Sequence, residues 1–201
     1  MTASNPEIRK QGALSGIPLG VILMVLSIFS FYFVTSIANS FWMITLGPVI
    51  FSVIIPLVVA ALFSGELRKK IGGFWKFRQA VTGIFVMLAV AYVITYIGAN
   101  LIFGKLIEPQ MTEKTQTAIQ NATVKYMESK NVDQEQIDKS LDQMQKQFDM
   151  QKNLSPVKII TALAISLIMI FVLALIYAAI YKRDPPLYDI ASVEDGGDAT
   201  V

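Results

Sequence analysis

The chain of 201 residues is 54% hydrophobic and only 16% charged, with 17 Lys plus Arg against 15 Asp plus Glu, a net charge of +2 and a mean hydropathy of +0.54. That balance excludes a disordered chain, offers no basic field for nucleic acid, and is too apolar for an ordinary water-soluble domain. Cysteine and histidine are both absent, which removes disulfides, thiolate zinc sites, cysteine nucleophiles, the commonest metal ligand and the usual base near neutral pH.

The charged residues fall between four uncharged apolar blocks, residues 16–38, 41–63, 80–103 and 159–181. Each holds about 23 residues, roughly 35 Å of helix, enough to cross a ~30 Å hydrocarbon core with modest tilt. Lipid satisfies no backbone polar group, and the blocks lack the two-residue alternation of barrel strands, so helices are the spanning form. The expected fold is an all-α membrane protein with four transmembrane helices and an extracytoplasmic helical hairpin between the third and fourth.

In chain order, residues 1–15 read as a cytoplasmic N-terminus carrying Arg9 and Lys10. In the first block, Ser36-Ile37-Ala38 has the small-residue form of a leader cleavage site. The apolar run exceeds the ~7–15 residues of a signal core, however, so the block is read as a span. The second block contains Pro48 and Pro56, each of which removes a backbone hydrogen bond, freeing the carbonyls of Ile44 and Ser52 and favouring kinks. Residues 16–103 thus hold the first three spans, with a short loop 64–79 that carries Arg68, Lys69, Lys70, Lys76 and Arg78. Short basic loops face the cytoplasm, which puts both termini there as well. Phe41 and Trp42 then mark the outer interface, and Phe74, Trp75 and Phe77 the inner one, as lipid anchors. The third span offers Ala91, Thr95 and Gly98 for close helix approach, and the fourth Ala162, Ser166, Ala174 and Ala178. Asn39 and Asn100 lie near the outer ends of their spans, placed to bond one another or to meet headgroups.

Residues 104–156 are the extracytoplasmic segment, rich in Gln, Lys, Glu and Asp yet patterned. Pro109 disfavours helix at Glu108 and so ends the third span. Met111, Thr115, Ala118, Ala122 and Tyr126 make a thin stripe on a first helix. Ile137, Leu141, Met144 and Phe148 make a stronger one on a second helix, which starts near Asp133 with Gln136 in capping-box position and Val132 and Ile137 as a staple. The pattern predicts an antiparallel pair turning at 129–133 and projecting from the membrane. The second stripe is either covered by the first helix or exposed to another protein, which makes Ile137, Leu141, Met144 and Phe148 the candidate partner-binding residues. Ser155 and Pro156 resemble the N-cap and first residue of the fourth span, within residues 157–183. Residues 184–201 form an acidic cytoplasmic tail of disordered composition.

No enzyme chemistry is legible. Glu108, Glu113, Asp133, Glu135, Asp138 and Asp142 sit among lysines on solvated faces, whereas paired catalytic carboxylates need a pocket that shifts their pKa values. No glycine completes a calcium loop around Asp133 and Glu135, and no phosphate-binding, nucleophile-elbow or zinc-protease motif occurs. No span contains an ionisable relay group, although ion-coupled transporters usually carry one.

The run Gly73-Phe74-Trp75-Lys76-Phe77-Arg78-Gln79-Ala80-Val81-Thr82-Gly83 entering the third span, and Ile107-Glu108-Pro109 leaving it, carry a resemblance. Over roughly residues 10–183 the chain resembles the four-helix bacterial membrane proteins called domain of unknown function 4199, found mainly in Bacteroidetes. The extended tail from Asp184 departs from that family's short basic end. The resemblance implies a bacterial inner membrane and supplies no activity, substrate or functional residue.

The expectation from the residues is a non-enzymatic inner-membrane subunit or scaffold, both termini cytoplasmic, acting through protein–protein contacts of its extracytoplasmic helices. Its partners are the lipid bilayer and a protein partner or second copy, with no cofactor, no metal and no nucleic acid. Two other readings stay open: a small oligomeric transporter or channel, and a regulatory partner of a membrane enzyme such as a polyprenyl-linked glycosyltransferase.

Overall fold

The apolar blocks fold as helices longer than the blocks themselves. A computed structural model describes residues 4–152 and 156–184. Three long helices come first, α1 (Asn5–Ile37), α2 (Phe41–Lys70) and α3 (Phe77–Ile107). Then follow α4 (Met111–Ser129), α5 (Gln134–Lys152) and α6 (Pro156–Tyr181). There is no strand among the described residues. Ser155 and the tail beyond Asp184 lie outside them, so neither the N-cap expected at Ser155 nor the tail's disorder is addressed; α6 does begin at Pro156.

Helix α1 starts eleven residues before its apolar block, because Pro6 fits a first turn where its missing N–H is not needed. Ile8, in the segment expected as a tail, is 1% exposed. From there a seam runs at every fourth residue. A Cβ on Gly12 would lie 2.6 Å from the Gly83 carbonyl oxygen, and one on Gly16 would lie 2.5 Å from that of Met87. One on Gly20 would lie 2.8 Å from Ile94 Cβ, and Met24 then fills the space beside Gly98. Without side chains at these positions the α1 and α3 backbones touch, which is how helices associate where no hydrophobic effect drives them together. Thr95 Oγ1 closes the seam by donating to the Gly20 carbonyl at 3.2 Å.

The other two spans pack less. Among the small residues expected in α6, Ala174 and Ala178 are fully buried, whereas Ala162 is exposed. The described side chains from Val157 to Met169 are exposed except Ser166, which accepts from the Tyr92 hydroxyl at 3.2 Å. In α2, Pro48 and Pro56 flank a π-helical turn, Ile50–Ile54. The predicted disturbance is thus a widening of the helix between the prolines, tied to α1 by Ser52 Oγ donating to Ser30 Oγ at 3.3 Å. Helices α1 and α3 also widen toward this end, at Phe33–Ile37 and Tyr96–Ile107.

At the opposite end, α2 stops on two glycines with positive φ, Gly72 at 98° and Gly73 at 84°, and the Gly73 N–H reaches back to the Arg68 carbonyl at 2.9 Å. The chain then inserts Trp75, which is 0% exposed. The expected lipid anchor is instead part of the core with Ile8, Leu67, Ile71, Ala80 and Ile84. Phe74 and Phe77 alone remain on the surface. A Cβ on Gly83 would lie 3.1 Å from the Trp75 ring and 3.0 Å from Ile8. The aromatic and glycine run of residues 73–83 therefore acts as one device: a glycine turn, a Trp plug and the seat that receives it.

Only 11% to 33% of the apolar windows of the four spans is buried within the chain. Water would not tolerate so much bare Leu, Ile, Val and Phe in contiguous bands. Hydrocarbon does, and the molecule is a multi-pass membrane protein.

Candidate functional site at the α4–α5 face

The end of α3 sets the geometry here. Glu108 leaves the helix at φ −129° and ψ 70°, as a residue before proline must when it avoids the α region. Its N–H is held by the Phe103 carbonyl at 2.8 Å, and its own carbonyl receives the Met111 N–H at 2.9 Å. The Glu-Pro pair is therefore a corner that launches α4. The Glu108 carboxylate, whose side chain is 18% exposed, meets Lys114 Nζ at 2.7 Å one turn into α4.

From that corner α4 lies across the ends of α1 and α2 and does not project outward as a free hairpin arm. Near its far end, Tyr126 stacks on Phe41 with centroids 4.3 Å apart and planes at 14°. Trp42 contacts the same ring edge-on at 6.2 Å, and Lys130 stands 5.9 Å over it. The thin stripe of α4 explains this placement. Ala118, Ala122 and Tyr126 line clefts against residues 31–44 of α1 and α2, so the small side chains face the spans and not the partner helix. Three adjoining cavities of about 610, 230 and 340 Å³ run beneath α4. Asn39 lines the second and third. It and Asn100 are both exposed, and they make no hydrogen bond to each other.

The partner helix α5 meets another face of α4. The turn between them passes through Asn131 at φ 55°, and α5 begins at Gln134, directly after Asp133, where the start was expected. Gln116, 7% exposed, donates its side-chain amide to Gln145 Oε1, and Gln120 donates to the same oxygen at 3.4 Å. Ile137 is 2% exposed, while Leu141, Met144 and Phe148 are only half-buried. The α5 stripe is thus seated at its first residue and partly open along the rest. Two exposed ion pairs, Lys139–Glu135 at 2.7 Å and Lys146–Asp142 at 2.6 Å, decorate its solvent side and contribute little to stability.

Two things escaped the sequence reading. The Gly12, Gly16, Gly20 spacing was visible, being the small-residue repeat recognised in other spans. The Gln116–Gln145 contact was not, because Gln is common throughout this segment and nothing local marks the two that meet. Among the described residues no group of three or more acidic side chains is placed to hold a metal ion.

The family model described as "Protein of unknown function (DUF4199)" matches residues 14–183. No curated protein matches the chain, and no solved structure matches it.

Proposed function

Because the chain belongs to the DUF4199 family, whose description names no reaction, we propose a role from its surfaces: a non-catalytic subunit of a bacterial inner membrane that acts through protein–protein contact of α5. The basic loop between α2 and α3 supports placing that end in the cytoplasm and α4 and α5 outside. The observation that carries this reading is the asymmetry of α5. Its apolar stripe is fully buried only at Ile137 and stays half-open at Leu141, Met144 and Phe148. A partner or second copy would complete the burial of those three side chains, each worth ~1.5–3 kcal/mol when fully covered.

The test compares a photo-crosslinking residue placed at Met144 with one placed at Asp142, on the solvent side. A discrete protein adduct from position 144 in native membranes, absent from position 142 and lost in the Leu141→Ser, Phe148→Ser background, supports the reading. Equal labelling at both positions, or none at 144, removes it, and the stripe is then the seam of an internal hairpin.

A further inference from the structure

The largest cavity beneath α4 is a different feature from the α5 stripe. We infer that this cleft, between the end of α1 and the first turns of α4, binds the headgroup of an aminophospholipid with the chemistry of phosphatidylethanolamine. Its volume of about 610 Å³ falls in the range of small-ligand sites. Its floor is Phe31, 5% exposed, and Tyr32, 41% exposed, both within the apolar block of α1. Its walls are Thr35 and Ser36 from α1, and Glu108, Glu113, Lys114 and Asn121 from the corner and α4. The cleft therefore straddles the level where hydrocarbon gives way to polar groups, which is where a lipid headgroup lies.

Charge selects the headgroup. Two carboxylates and one ammonium line the cleft, so groups of both signs face a bound headgroup, and a purely anionic phosphate would have to sit beside two carboxylates. A zwitterion with a primary ammonium next to a phosphodiester fits both signs. Lys114 has three N–H donors, of which the 2.7 Å contact to Glu108 Oε1 uses one. The others are available to a phosphate oxygen, as is the Ser36 hydroxyl, whereas the Thr35 hydroxyl donates to the Phe31 carbonyl at 2.9 Å. Each carboxylate accepts several bonds, so Glu108 and Glu113 can take the N–H groups of an ammonium. A quaternary choline has no N–H to give. Because the Glu108 side chain is only 18% exposed, its pull on a cation is screened less than that of a surface acid. The acyl chains would leave past Tyr32 into the surrounding lipid.

The full chain, delipidated in detergent, is titrated with phosphatidylethanolamine, phosphatidylcholine, phosphatidylglycerol and free phosphoethanolamine, with bound lipid counted by native mass spectrometry. One saturable equivalent of phosphatidylethanolamine is expected, at least about tenfold tighter than the other three. Glu113→Gln and Glu108→Gln should each weaken it by about tenfold, the scale of one charge-assisted hydrogen bond. Thr117→Phe, which fills the cleft without touching a charge, should abolish it while helix content is unchanged. Phosphatidylglycerol binding as tightly as phosphatidylethanolamine overturns the inference, and so does binding that survives Thr117→Phe. Free phosphoethanolamine binding as tightly as the lipid overturns the assignment to a membrane ligand. None of these outcomes depends on whether α5 has a protein partner.

Discussion

The indole Nε1 of Trp75 donates to the carbonyl of Tyr181 at 2.9 Å, joining the entrance of α3 to the last turn of α6. The two strands of chain also exchange backbone bonds: the Trp75 N–H to the Arg183 carbonyl at 2.9 Å, and the Arg183 N–H to the Trp75 carbonyl at 3.2 Å. Those backbone bonds do not depend on the side chain, so the ring's contribution can be separated. Trp75→Phe should cost about 1 kcal/mol, the net value of one hydrogen bond. Trp75→Ala should cost about 3–5 kcal/mol, because it also empties the cavity over Gly83. Denaturant unfolding in detergent micelles, followed by circular dichroism, measures both; equal losses would mean that the ring's packing contributes nothing.

The glycines separate steric from conformational demands. Gly16→Ala places a methyl 2.5 Å from a backbone oxygen and should destabilise by about 1–3 kcal/mol, as overpacking does. Gly73→Ala meets nothing within 4 Å but holds φ at +84°, so its cost should be about 1–2 kcal/mol, purely backbone strain. Gly73→Asn should recover part of that loss, since Asn tolerates this conformation, whereas Gly16→Asn should not. The same unfolding midpoints distinguish the two cases.

The stacked pair Phe41 and Tyr126 joins the far end of α4 to the bundle. A double-mutant cycle with Phe41→Ala and Tyr126→Ala should give a coupling of about 0.5–1.5 kcal/mol. Tyr126→Ala alone should raise hydrogen exchange along α4 and α5 and leave the Gly12–Gly20 segment of α1 protected. Uniform exchange changes in both regions would show that α4 is integral to the bundle and not docked on it.

Orientation has its own measurement. Single cysteines at Gly72 and Asp133, both exposed, should differ in intact cells, with a membrane-impermeant thiol reagent labelling only Asp133→Cys. Labelling of Gly72→Cys instead reverses the topology drawn from the basic loop.

How far the sequence could be read depended on the range of each interaction. Four spans, their helical form and the corner at Glu108-Pro109 follow from apolar run length and from proline's restriction of its neighbour, both local. The start of α5 near Asp133 and the turn before it were legible for the same reason. The fate of Trp75 was not, because an aromatic at a span end reads equally as lipid anchor or core, and only the approach of Gly83 and α6 buries it. The thin stripe of α4 had two takers, α5 and the ends of the spans. Periodicity says which residues share a face but not what that face meets.

By itself, then, the amino-acid order determined that the chain has four helices fit to cross a membrane, that the third ends at the Glu108-Pro109 corner, and that Ile137, Leu141, Met144 and Phe148 share one helical face. Tertiary structure alone decided that the backbones of α1 and α3 touch through Gly12, Gly16 and Gly20, that Trp75 is buried, and that α4 lies across the bundle end, leaving a polar cleft beneath it. The division has a physical reason. Hydropathy and dihedral preferences act within a few residues, whereas these contacts join positions tens of residues apart, and in lipid their pairing depends on shape and on individual hydrogen bonds.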